Sequence, residues 1–233
     1  MELSIDTSTR YASVAVTEKG EARWESSWFS KQNHTVELTV AIQTILTQAG
    51  VSPNDLNAIF VAIGPGGFSA LRVGMSVAKG MSEGLDVPLV GVDTLRVEAS
   101  AFSGLEKRIC PVVGMGRGQV AWACYEMDKE TWTELRGPEI DSVESMIAKA
   151  GPGVVFCGEG VWEHKSVMRG LVPRSATVLS MRPPTRHAST LGELGFQRFI
   201  EGRYEDPGQL EPLYLRRPNI TYRGKRKQIL GKG

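Results

Sequence analysis

The chain is poor in the residues that build covalent or metal scaffolds. Its three cysteines, Cys110, Cys124 and Cys157, are widely spaced and form no C-x-x-C pair, so neither a disulfide framework nor a zinc site is expected and all three read as buried thiols. The three histidines, His34, His164 and His187, share no H-x-x-x-H or H-E-x-x-H spacing, which gives a protein metal site nothing to start from. No apolar run approaches the ~20 residues that cross a bilayer, and the opening Met1-Glu2-Leu3-Ser4-Ile5-Asp6 carries no basic secretory region. A cytoplasmic protein without membrane contact is expected. No glycine loop ends in the Gly-Lys-Ser/Thr of a Walker A motif. Residues read one by one yield no catalytic set, no metal site and no implied cofactor.

What is present is an ordinary globular composition, 233 residues with 41% hydrophobic and 23% charged side chains. The net charge of +1 hides an uneven distribution. Seven of the 27 Lys and Arg lie after residue 213 with no acid among them, leaving 20 basic groups against 26 acids before that point. The basic tail 216–233, with Arg216, Arg217, Arg223, Lys225, Arg226 and Lys227, is the one electrostatic pointer to a polyanion, and tRNA phosphates are its candidate contact.

The most informative stretch is Ile63-Gly64-Pro65-Gly66-Gly67-Phe68-Ser69-Ala70-Leu71-Arg72-Val73-Gly74, an apolar strand at 58–63, a glycine turn and a helix that Ser69 is placed to cap. At ~100° per residue, Arg72, Ser76, Lys79 and Glu83 form one polar stripe on the helix 70–84 while apolar and small residues cover the rest. A single sheet buries one face. The second face is therefore assigned to a partner, through Leu71, Val73, Gly74, Val77, Ala78 and Met81, with Leu38 and Ile42 of a neighbouring helix.

Around this stretch the chain alternates. Strands are predicted at 2–6, 11–17, 22–30, 58–63 and 88–92, and helices at 35–49, 70–84 and 94–102, an α/β layer with mixed pairing. A second unit begins near residue 107. Its Val113-Gly114 and Val120-Ala121-Trp122-Ala123 repeat the strand, tight turn, strand pattern of Ile5-Asp6 and Ala12-Ser13-Val14-Ala15. Helices at 142–150, 161–169 and 189–202 and a strand at 154–157 complete it, dividing the chain into lobes 1–106 and 107–233 with helix 189–202 placed to pack back on the first. The polar turn Asp6, Thr7, Ser8 and the loop glycines Gly64, Gly66 and Gly67 are anion-friendly and read as vestigial nucleotide or phosphate loops.

Taken together, Ile5-Asp6-Thr7-Ser8-Thr9, His34, the glycine loop through Gly74, Pro88-Leu89-Val90-Gly91-Val92 and Pro212-Leu213-Tyr214-Leu215-Arg216 resemble the TsaB family, also called YeaZ, in the right order over nearly the whole chain. The resemblance implies the actin-like ATPase (ASKHA, ribonuclease H-like) fold with two duplicated lobes. It implies a bacterial role in forming N6-threonylcarbamoyladenosine in tRNAs that read ANN codons. In that family the protein pairs with the transferase TsaD, helps recruit the ATPase TsaE, and forms a homodimer when isolated. The catalytic relative continues from the Gly91-Val92 strand into an H-x-x-x-H metal pair, whose matching positions here are Thr94 and Glu98. The implied role is that of a non-catalytic scaffold; the alternative is an autonomous ATP-using enzyme or peptidase of the same fold. Two features depart from the family pattern. Gly114-Met115-Gly116 precedes Arg117 where an Asp-Ala-Arg stretch is usual, and Gly67 and Ala70 replace a Ser and a Gly.

Overall fold

Alternating apolar residues at the N-terminus form β1 (Glu2–Asp6) antiparallel to β2 (Tyr11–Glu18), with Ile5 opposite Val14 and Asp6 opposite Ser13. The computed structural model describes residues 1–31, 33–105, 108–128 and 131–215. Strand β3 (Glu21–Phe29) pairs with β2 as an edge, while β4 (Ala58–Gly64) runs parallel to β1 and β5 (Leu89–Asp93) parallel to β4. The first sheet thus has the order β3-β2-β1-β4-β5.

The second sheet repeats that plan. Strands β6 (Arg108–Gly116), β7 (Gln119–Asp128) and β8 (Thr131–Ser142) form the antiparallel meander, and β9 (Val154–Cys157) and β10 (Thr177–Val178) add in parallel beside β6. Read from the meander edge, β8-β7-β6-β9-β10 has the connectivity of β3-β2-β1-β4-β5. The hairpin echo in the sequence belongs to a repeated sheet.

Helices α1 (His34–Ala49) and α2 (Phe68–Leu85) cover one face of the first sheet, where Leu38, Ile42, Ile45, Met75 and Ala78 meet Leu3, Ile5, Ile59 and Val61. Gly50, at φ 66°, ends α1 with its N–H on the Leu46 and Thr47 carbonyls. Helix α3 (Thr94–Ser100) leaves β5 and packs on the second sheet through Leu95 and Ala99. The outer face of that sheet is covered by α4 (Val143–Ala150), α5 (Glu159–Glu163) and α6 (Lys165–Leu171) around Trp122 and Phe156. Helix α7 (Ala188–Ile200) returns to the first sheet and packs Leu191 against Phe60, Val90 and Val92. Each lobe therefore receives a helix from chain that follows the other sheet. Among the described residues no helix is long and apolar enough to cross a membrane.

Three local expectations are corrected. Helix α2 begins at Phe68 with Gly67 as N-cap and no side-chain cap, so Ser69 lies inside the first turn. The helix expected at 161–169 is two short helices broken at His164. Strand β8 was unanticipated because charged and turn-forming residues interrupt its apolar alternation, and its long flank is half-exposed to exposed.

Two helical glycines test the packing with opposite signs. A Cβ at Gly195 of α7 would run into the Phe60 ring, whereas one at Gly80 of α2 meets nothing within 4 Å. Gly195→Ala should destabilise the protein by about 1–3 kcal/mol through overpacking. Gly80→Ala should stabilise it by up to about 1 kcal/mol through helix propensity. Urea unfolding of both variants checks the pair, and a common sign would contradict the packing.

Candidate functional site

The turn after β1 and the glycine loop after β4 meet at the junction of the lobes. Asp6 Oδ1 accepts from the Ser8 backbone N–H (2.8 Å) and Ser8 Oγ (2.6 Å), and the Gly67 N–H donates to the Ser8 carbonyl (2.8 Å). A Cβ on Gly66 would overlap that same carbonyl, so only glycine permits the approach. Thr7 Oγ1 donates to the Ala70 carbonyl (2.7 Å) and fills the space that a Cβ on Gly74 would take. The Gly64 N–H donates to Thr94 Oγ1 (3.1 Å), which lies 2.9 Å from Ser8 Oγ. Because the Ser8 proton goes to Asp6, the Thr94 hydroxyl is the donor to Ser8. The structure thus brings Asp6, Thr7, Ser8, Gly64, Gly66 and Gly67 together, with the named polar atoms bonded to one another.

Beside this knot is a group that sequence reasoning missed. Arg186, in the segment entering α7, is buried, and its Nε donates to Asp6 Oδ2 (2.9 Å). Its Nη1 lies 3.1 Å from Glu159 Oε1 and 3.4 Å from Glu98 Oε2, and its Nη2 donates to Thr9 Oγ1 (3.0 Å). Thr9 Oγ1 in turn donates to Glu159 Oε2 (2.7 Å), and Thr185 Oγ1 to Glu98 Oε2 (3.0 Å). One guanidinium so ties β1 and its turn to α3 and α5. Burial works against its charge, but Glu159, Asp6 and Glu98 together more than offset that and raise its pKa. The carboxylates respond differently. Burial pushes Glu98 up to about 7 and raises Glu159, in each case against the pull of Arg186. Glu98 Oε1 is buried without a hydrogen-bond partner, an arrangement that suits a protonated carboxyl better than a carboxylate.

Outside the Arg186 cluster a cleft of about 1170 Å³ opens between the lobes. Thr9 and Glu159 belong to its lining, with Arg10, Tyr11 and Phe29 from the first lobe and Gly114, Arg117, Trp162 and Glu163 from the second. Where the first lobe has Asp6 in its turn, the second has Gly114, and the Glu163 carboxylate occupies the place a Cβ there would need.

The partner face requires a correction. Leu71, Gly74 and Ala78 of α2 and Leu38 and Ile42 of α1 are buried in this chain's own core, so they cannot meet another protein. Helix periodicity did place them on an apolar face, but that face is the one the sheet covers. What stays open is the stripe Val73, Val77 and Met81 of α2, half-buried, and Val36 and Val40 of α1, 71% and 59% exposed. The basic residues Arg216, Arg217, Arg223, Lys225, Arg226 and Lys227 lie outside the described residues.

Residues 29–165 match the family model described as TsaD, tRNA N6-adenosine threonylcarbamoyltransferase. The chain is 32% identical over 233 residues to the tRNA threonylcarbamoyladenosine biosynthesis protein TsaB of Escherichia coli (strain K12), covering 95% of this chain and 96% of that protein. YeaZ from Pseudomonas aeruginosa superposes with a TM-score of 0.75 at 23% identity, over 92% of this chain and 99% of that one. The activator of 2-hydroxyisocaproyl-CoA dehydratase from Clostridium difficile, solved with bound ADPNP, superposes at 0.50 and 11% identity, over 87% and 96%. The fold is the two-lobed actin-like ATPase fold.

The Arg186 cluster makes stability pH-dependent in a defined direction. With its folded pKa of about 7 above the ordinary 4.5, Glu98 holds a proton that the unfolded chain releases, so its contribution to stability falls as pH rises from about 4.5 through 7. Glu98→Gln keeps the neutral shape and should flatten the decline between pH 5 and 8 by on the order of 1–3 kcal/mol. Arg186→Met strands the carboxylates and should cost about 3–5 kcal/mol at pH 7, and less at pH 5. Urea unfolding at both pH values is the measurement; parallel pH slopes for wild type and Glu98→Gln would contradict the assignment.

Proposed function

Since the chain belongs to the TsaB family, we propose that it is the non-catalytic scaffold subunit of the cytoplasmic bacterial machinery that forms N6-threonylcarbamoyladenosine in tRNA. It pairs with TsaD, helps recruit TsaE, and in isolation self-associates through the same face.

The observation that carries the scaffold reading is the outward apolar surface of α1 and α2. Val36 and Val40 point away from the core on one side of α1, and Val73, Val77 and Met81 recur at i, i+4 and i+8 on α2. Gly80 beside that stripe leaves the helix backbone open to close approach. The interior supports the same reading. The inner cleft is filled by Arg186, and the turn and loop that would face a nucleotide phosphate hydrogen-bond each other. On this reading, the basic residues from Arg216 onward contact tRNA phosphates.

Two outcomes are expected. Val40→Glu with Val77→Glu should leave a folded protein with a modestly lowered melting temperature, because Val40 is exposed and Val77 half-buried. The pair should abolish co-elution with TsaD in size-exclusion chromatography and lower modification of tRNA in a reconstituted system by at least about tenfold; a complex that survives both charges would refute the face. Deletion of residues 216–233 should weaken tRNA binding by the assembled complex and shallow its salt dependence. An unchanged salt slope would remove the tail from the interface.

A further inference from the structure

The outer cleft is unlike the closed interior behind it. Its floor includes Thr9 and Glu159, both engaged with Arg186, so nothing deep enters between the lobes. Its walls carry Arg10 and Arg117, which come from the equivalent turns of the two sheets, β1–β2 and β6–β7. Both are exposed, and neither has a carboxylate partner among the described residues. Aromatic rings belong to the same lining. Phe29, 47% exposed, stands edge-on to Tyr11 (5.1 Å). Phe68, 37% exposed, is stacked on Tyr214 (5.1 Å, 28°) and carries the Arg72 guanidinium 3.9 Å from its ring centre, and half-buried Trp162 has Lys165 Nζ 3.8 Å from its own, so cations already sit on both rings while Phe29 keeps an open face.

We infer that this cleft is a groove for a single-stranded segment of RNA, with Arg10 and Arg117 on its phosphates and a base laid on Phe29. The inference deepens the tRNA reading above and rests on it. Free guanidiniums beside an exposed ring suit an unpaired strand, because every base offers a π-face and every nucleotide a charge. A duplex hides those faces. An acidic peptide would satisfy the arginines, yet it would leave the Phe29 ring uncovered. For an RNA strand the Glu163 carboxylate is an acceptor for a base amino group. A mononucleotide would leave one of the two arginines without a phosphate.

The test is fluorescence anisotropy of a 5′-fluorescein-labelled, seven-nucleotide single-stranded RNA titrated with the full-length chain at low salt. Wild type should bind, and the affinity should fall as salt rises. Arg10→Ala with Arg117→Asn should weaken binding at least about tenfold; Asn is chosen because Arg117 has φ 54° and Asn tolerates that region. Phe29→Ala should weaken it about fivefold by removing one stacking face. All three positions are exposed, so melting temperatures should hold. Absent binding by wild type, equal affinity in the double arginine variant, or equally effective competition by ATP, polyglutamate or a duplex of the same length would each overturn the groove. Loss of tRNA modification when the chain is omitted, together with wild-type RNA affinity in the arginine variant, would sink this inference alone. Modification that proceeds without the chain would sink the scaffold reading, whatever the groove binds.

Discussion

A single guanidinium, buried among three carboxylates, holds the two lobes in register. Arg186 reaches Asp6 of the first sheet, Glu98 of α3 and Glu159 of α5, and α3 also packs apolar residues on both sheets, Val97 on the first and Leu95 and Ala99 on the second. Removing an ion from water costs several kcal/mol unless its partners and hydrogen bonds repay it, so a buried Arg with a full set of acceptors cannot swing out without stranding those acceptors. The excess of acid is relieved locally, because Glu98 titrates near neutrality and takes a proton where a third full charge would be costly. The result is an interior held closed by electrostatics. This charged strut closes the inner part of the lobe junction, and the cleft opens outside it.

The strut extends to the surface proposed for partners. Thr9, which accepts from Arg186, presents its carbonyl 2.9 Å from His34 Nε2, and a carbonyl can only accept. The imidazole therefore carries its proton on Nε2 and receives the Ser30 hydroxyl on Nδ1 (3.3 Å). His34 is the first residue of α1, so the orientation of the helix that bears Val36 and Val40 is tied through two hydrogen bonds to the lobe junction. This places the family-motif histidine in a structural chain, between the Asp6 turn and the outer helix face.

Much of this was readable in the residues and some could not have been. The hairpins, the i, i+4 face of α1, the glycine loop and the repeated second unit follow from period and punctuation, and the sheets have the duplicated order those signals imply. Small residues on α2 were legible as packing contacts, but their partner was not. Gly74 makes room for Thr7 of the same chain, and Ala78 lies in its core, because composition cannot say which side of a helix a sheet will take. Arg186 gave no signal. A single arginine in a Pro-rich segment carries no periodicity, and its importance arises only when residues from positions 6, 98 and 159 converge on it.

The duplicated halves also diverge where they are most alike. The first turn is drawn inward, with Asp6 and Ser8 bonded to each other and pressed against Gly66 and Gly67. The second replaces the acid with Gly114, borrows a carboxylate from Glu163 on α5, and runs out through Gly116, Arg117 and Gly118, all at positive φ. A pair of equal turns would make a symmetric phosphate cradle. One turn consumed by packing and one left projecting make an asymmetric cleft, sealed at its base by Arg186 and its partners and edged by Arg117 and Glu163.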